Sequence, residues 1–155
     1  MSNHVATIHW SRGNTPPSEF TQKKYSRVHE WRFDGGAVVA AAASPTIVPP
    51  EHTLAANVDP EEAFVASLSS CHLLWFLAIA SKHGHVVDSY EDSAEGTLAK
   101  DATGRMAITQ VTLKPRATFV SAIDMNSVRA LHKEAHESCF IAASVKTDVV
   151  VEVRF

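Results

Sequence analysis

Nowhere in the 155 residues do Lys and Arg gather into a run. With a net charge of -3 dispersed along the chain, there is no basic stripe for nucleic acid and no polybasic segment for a membrane surface. The opening Met1-Ser2-Asn3-His4 lacks a charged segment followed by an apolar one, so no secretory signal is read and the expected compartment is the cytoplasm. Cysteine is scarce: there are two, not in Cys-x-x-Cys spacing, and in a reducing compartment such a pair is not normally a structural staple. Internal repeats and low-complexity segments are also missing. At 45% hydrophobic content the chain can bury one core and is short for two, which predicts a single domain over residues 1–155.

What is present is one long apolar segment, from Asp59 to Ala80. Asp59 can cap its first turn, Pro60 sits where a missing N–H costs nothing, and Glu62 stands three residues after the cap, as a capping box requires. From Ala63 onward apolar and small residues fall on every side, the pattern of a helix surrounded by protein. Two glutamates, three serines and a histidine interrupt it, so it reads as a core helix and not as a membrane span. Gly84 can take the left-handed conformation that ends it.

Around this helix the pattern is of strands. Residues 5–10 alternate with Ala6, Ile8 and Trp10 on one face, and residues 11–24 read as a loop. Residues 25–33 and 37–43 flank Asp34-Gly35-Gly36 and predict a hairpin. A proline-rich connection over 44–58 leads into the helix. A second hairpin is expected from 86–100 and 105–120 about the turn Asp101-Ala102-Thr103-Gly104. A second, amphipathic helix, capped by Asp124 or Ser127, carries Val128, Leu131 and Ala135 at helical spacing and ends near Cys139; residues 149–155 close the chain as a strand. Hairpins bracketing helices without regular βα alternation argue an α+β fold.

Cys71 near the middle of the first helix and Cys139 at the end of the second are core residues, metal ligands or redox groups. Two chemistries compete. His132 and His136 lie one turn apart with Cys139 three residues on; with Cys71 or His72 as a fourth ligand, they would make a zinc-binding, non-redox module. The other reading rests on a resemblance.

The string Asp59-Pro60-Glu61-Glu62-Ala63-Phe64, followed by Leu68-Ser69-Ser70-Cys71-His72, resembles the OsmC/Ohr family of thiol peroxidases, in which the reactive cysteine stands ten residues after a motif glutamate. Cys139 in Cys139-Phe140-Ile141-Ala142-Ala143 matches the second family cysteine. The resemblance implies an intertwined homodimer with strongly bent antiparallel sheets wrapped around central helices. It implies reduction of organic hydroperoxides, or of hydrogen peroxide, by Cys71 and Cys139 through a sulfenic acid and a disulfide, with no metal or organic cofactor. An external dithiol, in similar proteins often a lipoyl-bearing enzyme, would restore the thiols. An arginine held by Glu61 would stabilise the thiolate; Arg27 matches best by position, with Arg12 and Arg32 as competitors. Phe64, Trp75, Phe76 and Phe140 are candidates to line an organic pocket, or plain core.

Helix geometry bears on the dimer. Ten residues put Glu61 roughly 15 Å along the axis from Cys71 and about 80° around it, so the two side chains cannot meet across one straight helix. Glu61 is therefore expected to act from a second subunit or through a bridging arginine, leaving Glu62 to the cap.

Overall fold

The computed structural model describes residues 1–154; Phe155, the last residue of the predicted closing strand, lies outside the described residues. The chain forms two compact units, one ending at Ala63 and one beginning at Phe64.

The first unit is an antiparallel sheet of β1 (Ala6–His9), β2 (His29–Phe33) and β3 (Val38–Ala41), in that order. The β2–β3 hairpin turns through Asp34-Gly35-Gly36, where Gly36 has φ +87° and would strain any L side chain. Register places Ile8 opposite Trp31 and Trp31 opposite Val39 on one face. That face is poorly covered: Ile8 is 59% exposed. The segment read as a loop contains a short helix, α1 (Pro17–Thr21), started by Pro17 at its first position. A 3₁₀ turn at Pro50–His52 precedes the long helix.

The helix α2 runs over Pro60–Lys82. Its capping box is reciprocal: Glu62 N–H donates to Asp59 Oδ1 at 2.8 Å, and Asp59 N–H donates to Glu62 Oε2 at 3.1 Å. Gly84 at φ +79° ends it. The expectation that protein surrounds α2 is corrected for the single chain. Leu68, His72, Phe76, Ile79 and Ala80 are buried as one stripe, whereas Leu74 is 65% exposed and Leu77 is exposed. By length and composition alone α2 could cross a membrane; its buried stripe packs instead against strands and a second helix.

In the second unit the predicted long hairpin is broken in the middle. Its outer halves, β4 (Val87–Asp92) and β7 (Pro115–Phe119), pair as one sheet; its inner halves, β5 (Glu95–Lys100) and β6 (Met106–Leu113), pair in another across the Asp101–Gly104 turn. Asp92 pins the break: its Oδ1 accepts from Lys114 N–H at 2.6 Å and its Oδ2 from the Ser69 hydroxyl at 2.5 Å, tying the bend to α2. The helix α3 (Met125–Ser138) is capped by Asp124, which accepts from the N–H groups of Asn126 and Ser127. A one-turn helix, α4 (Phe140–Ala143), leads to β8 (Asp148–Val151), which joins β6 in parallel. The sheets are thus antiparallel except for this last strand, which a crossover through α3 delivers in the parallel sense. The fold is α+β, as the sequence implied.

Candidate functional site

Cys71 lies half-buried on α2, one residue before His72 of the buried stripe. Cys139 closes α3 and begins α4; it is 2% exposed, and its sulfur accepts from Ala142 N–H at 3.4 Å. The structure brings the two thiols together: Cys71 is a close enough neighbour to shift the titration of Cys139, and both are free thiols. Burial pushes the Cys139 thiol up, and the neighbouring Cys71 thiol raises it further.

The zinc reading fails on the same geometry. His132 is not on an outer face but 2% exposed, and its Nδ1 lies 3.0 Å from His72 Nε2. Among the described residues no three His, Cys, Asp or Glu side chains are arranged to hold a metal. His136 is half-buried, with its Nδ1 unpartnered.

The histidine pair was not foreseen as a pair, although the signal was present. His72 is four residues from both Leu68 and Phe76, and His132 adjoins Leu131 in the stripe of α3, so both fall on apolar faces. The rings are parallel to within 1°, and Phe76 stacks on His132 at 4.2 Å. Desolvation holds both imidazoles neutral, lowering each from 6.5 to about 4; for His72, Asp92 opposes this and His136 reinforces it, and for His132, His72 reinforces it. Tyr90 packs on this cluster with its hydroxyl buried, and its ionisation is pushed far up by burial first and Asp92 second.

In the first unit Arg27 is the most elaborately held of the three candidate arginines. Its Nη1 donates to the carbonyls of Lys23 at 2.8 Å and Tyr25 at 2.6 Å, and its guanidinium lies 3.9 Å over the Tyr25 ring. Tyr25 stacks on Phe20, and Trp10 meets both. Behind Arg27, Trp31 Nε1–H donates to His29 Nε2, which leaves His29 Nδ1–H to donate to the Arg27 carbonyl. Arg12 bonds the Thr15 carbonyl and Arg32 pairs with Glu30 on the surface. Glu61 is half-buried and makes no ion pair or hydrogen bond among the described residues. Glu62 is taken by the cap.

Of the aromatic candidates, Phe76 is fully buried core and Phe64 packs on the Leu68 cluster. Trp75 and Phe140 meet edge to face at 5.3 Å, with Phe140 70% exposed immediately after Cys139.

Residues 53–154 match the family described as OsmC-like protein. An OsmC-like protein of unknown function from Vibrio cholerae is 47% identical, with 99% of this chain and 100% of that one covered and a TM-score of 0.95. The organic hydroperoxide resistance protein OhrB of Bacillus subtilis shares the fold at 20% identity and TM-score 0.70, covering 99% and 98%. An organic hydroperoxide resistance protein from Elizabethkingia anophelis shares it at 13% and 0.72, covering 99% and 94%. No curated protein sequence matches the chain.

Proposed function

The chain belongs to the family of OsmC-like proteins, and on that premise we propose that it is a cysteine-based peroxidase acting on organic hydroperoxides. The observation that carries this reading is the pair of free, neighbouring thiols, Cys71 half-buried on α2 and Cys139 buried at the end of α3. A thiolate is the nucleophile, and a second thiol within bonding reach is what a sulfenic acid needs in order to close a disulfide.

The cycle runs in three steps. Cys71 thiolate attacks the outer peroxide oxygen; the O–O bond breaks, Cys71 becomes a sulfenic acid, and the leaving alkoxide takes a proton to become an alcohol. Cys139 then loses its proton and attacks the Cys71 sulfur, an S–S bond forms, and the hydroxyl leaves as water. An external dithiol, of lipoyl type, reduces the disulfide and is itself oxidised. Completed by a second copy of the chain, the site would use Arg27, oriented by Glu61, to supply the positive charge that favours the Cys71 thiolate. Hydrogen peroxide is the alternative substrate, and the cytoplasm is the compartment in which this cycle would serve against oxidative stress.

The functional unit in this proposal is an intertwined homodimer. Support comes from apolar surface that the single chain leaves bare: Leu74 and Leu77 on α2, and Ile8 and Val38 on the first sheet. The half-buried Glu61 without a cation fits a site completed by a second copy.

Stopped-flow mixing of the reduced protein with cumene hydroperoxide and with hydrogen peroxide tests the activity. Faster consumption of the organic peroxide, with loss of both thiols, is expected; negligible consumption of both would overturn the proposal.

A further inference from the structure

The buried imidazole pair joins the same two helices that carry the thiols. His72 is the residue after Cys71 on α2. His132 stands seven residues before Cys139, two helical turns and so on nearly the same face of α3. The two helices therefore meet at two polar points, His72 Nε2 to His132 Nδ1 at 3.0 Å and Cys71 to Cys139, amid the apolar contacts of Phe76, Ile79, Ala80, Leu131 and Ala135.

Apolar side chains fill space without fixing register closely, whereas a buried hydrogen bond has a narrow range of lengths and angles. This one is also hard to give up. Both rings are within 2% of full burial, and water cannot replace the lost partner, so sliding α3 against α2 would leave two more imidazole nitrogens unsatisfied. The bond holds one N–H and one lone pair, so it forms whichever ring donates. Phe76 stacked on His132 and the Tyr90 ring beside it fix the plane in which His132 can point. On the α2 side, Ser69 is tied to Asp92 at the sheet break, which anchors the turn from which Cys71 and His72 project.

We infer that His72 and His132 are positioning residues for the thiol pair: their hydrogen bond locks α3 to α2 in the register that keeps Cys139 against Cys71. The inference deepens the peroxidase reading, since the step it serves is the attack of Cys139 on a Cys71 sulfenic acid formed by hydroperoxide. Its physical content is separate from peroxide chemistry, because register sets the effective concentration of one thiol at the other for any disulfide-forming reaction.

The test uses the full-length protein in mixtures of reduced and oxidised glutathione, where the fraction of Cys71–Cys139 disulfide reports that effective concentration directly. His132→Phe fills the ring's space and keeps a partner for Phe76 but removes the bond; His132→Asn returns a polar group near Nδ1. The Phe variant is expected to lower the effective concentration by about tenfold, the change that loss of one hydrogen bond of ordinary strength produces, and the Asn variant to recover most of it. His72→Leu and His72→Gln form a second pair read in the same way should His132→Phe not fold. An unchanged equilibrium in the apolar variants overturns the inference, as does an equal fall in the polar and apolar variants, which would assign the effect to packing. Trapping of sulfenic acid in the wild-type protein is followed in parallel. Its absence beside an intact histidine effect would reject the peroxidase reading alone.

Discussion

Val65 on α2 leaves no room for a side chain at position 96 of β5: a β-carbon built on Gly96 would lie 2.6 Å from Val65 Cγ2. The backbone of the strand thus approaches the helix directly, beside the core of Leu68, Val111 and Leu113. Gly96→Ala is expected to destabilise the protein by about 1–3 kcal/mol, the usual penalty of overpacking. Adding Val65→Ala should recover much of that loss, which urea unfolding of the single and double variants would measure.

The thiols divide the labour. Cys71→Ser is expected to abolish peroxide consumption. Cys139→Ser should allow one turnover and then stall with a sulfenic acid at Cys71, or over-oxidise. Mass spectrometry of each variant after one equivalent of peroxide checks the assignment; sulfenic acid on Cys139 would reverse the roles.

Arg27 is held by two carbonyls and a ring, so its replacement removes charge and a local brace together. Arg27→Ala is expected to slow single-turnover oxidation of Cys71 at neutral pH by about tenfold or more, and Arg27→Lys to recover it only partly, because an ammonium lacks the planar fork. Should Arg12→Ala or Arg32→Ala produce the loss instead, the role belongs there.

The imidazole pair predicts acid sensitivity. His72 and His132 are lowered to about 4 by burial, facing Asp92 and Tyr90 from β4 and His136 from α3. The unfolded chain, with ordinary histidines near 6.5, binds more protons than the folded one between these values. Stability is therefore complete above about pH 6.5 and falls as pH drops toward about 4, by on the order of 3 kcal/mol for each imidazole and less for two that titrate together. Thermal unfolding at pH 7 and pH 5 should show the decline, and His132→Phe should reduce it. An equal slope in that variant would place the acid sensitivity elsewhere.

Light scattering at low micromolar concentration is expected to give twice the chain mass of 16.8 kDa, about 34 kDa. Leu74→Lys, on the bare face of α2, should shift the population toward monomer and lower activity with it. A wild-type monomer with full activity would remove both the dimer and a glutamate acting across it.

Much of this was legible in advance, for identifiable reasons. Asp59, Pro60, Glu62 and Gly84 state the ends of α2 in local chemistry that needs no tertiary context, and Asp124 does the same for α3. The break of the long hairpin was not legible, because it depends on Asp92 reaching Ser69 and Lys114, residues 23 and 22 positions away. Nor was the sense of β8, which its β-branched run leaves open. Cys71 and Cys139 were found through motif spacing. The apolar helix faces on which His72 and His132 stand mark each as a candidate for burial, but 60 residues separate them, and their pairing depends on how α3 packs on α2.

The parallel seat of β8 has a consequence for the order in which the second unit assembles. One edge of β6 is closed by β5 across a four-residue turn, a pairing of adjacent segments that forms on the microsecond scale. Its other edge waits for a strand that starts 38 residues further along, since Gln110 pairs with Asp148. That pairing cannot close until α3 has carried the chain across, so it bears most of the loop-closure cost of the sheet. During refolding the hairpin amides of β5 and β6 should gain protection from hydrogen exchange first, while Asp148–Val151 lag together with α3. Until they arrive, Val111 and Leu113 stand at an open strand edge, and this is the interval in which the unit is most exposed to pairing with another chain.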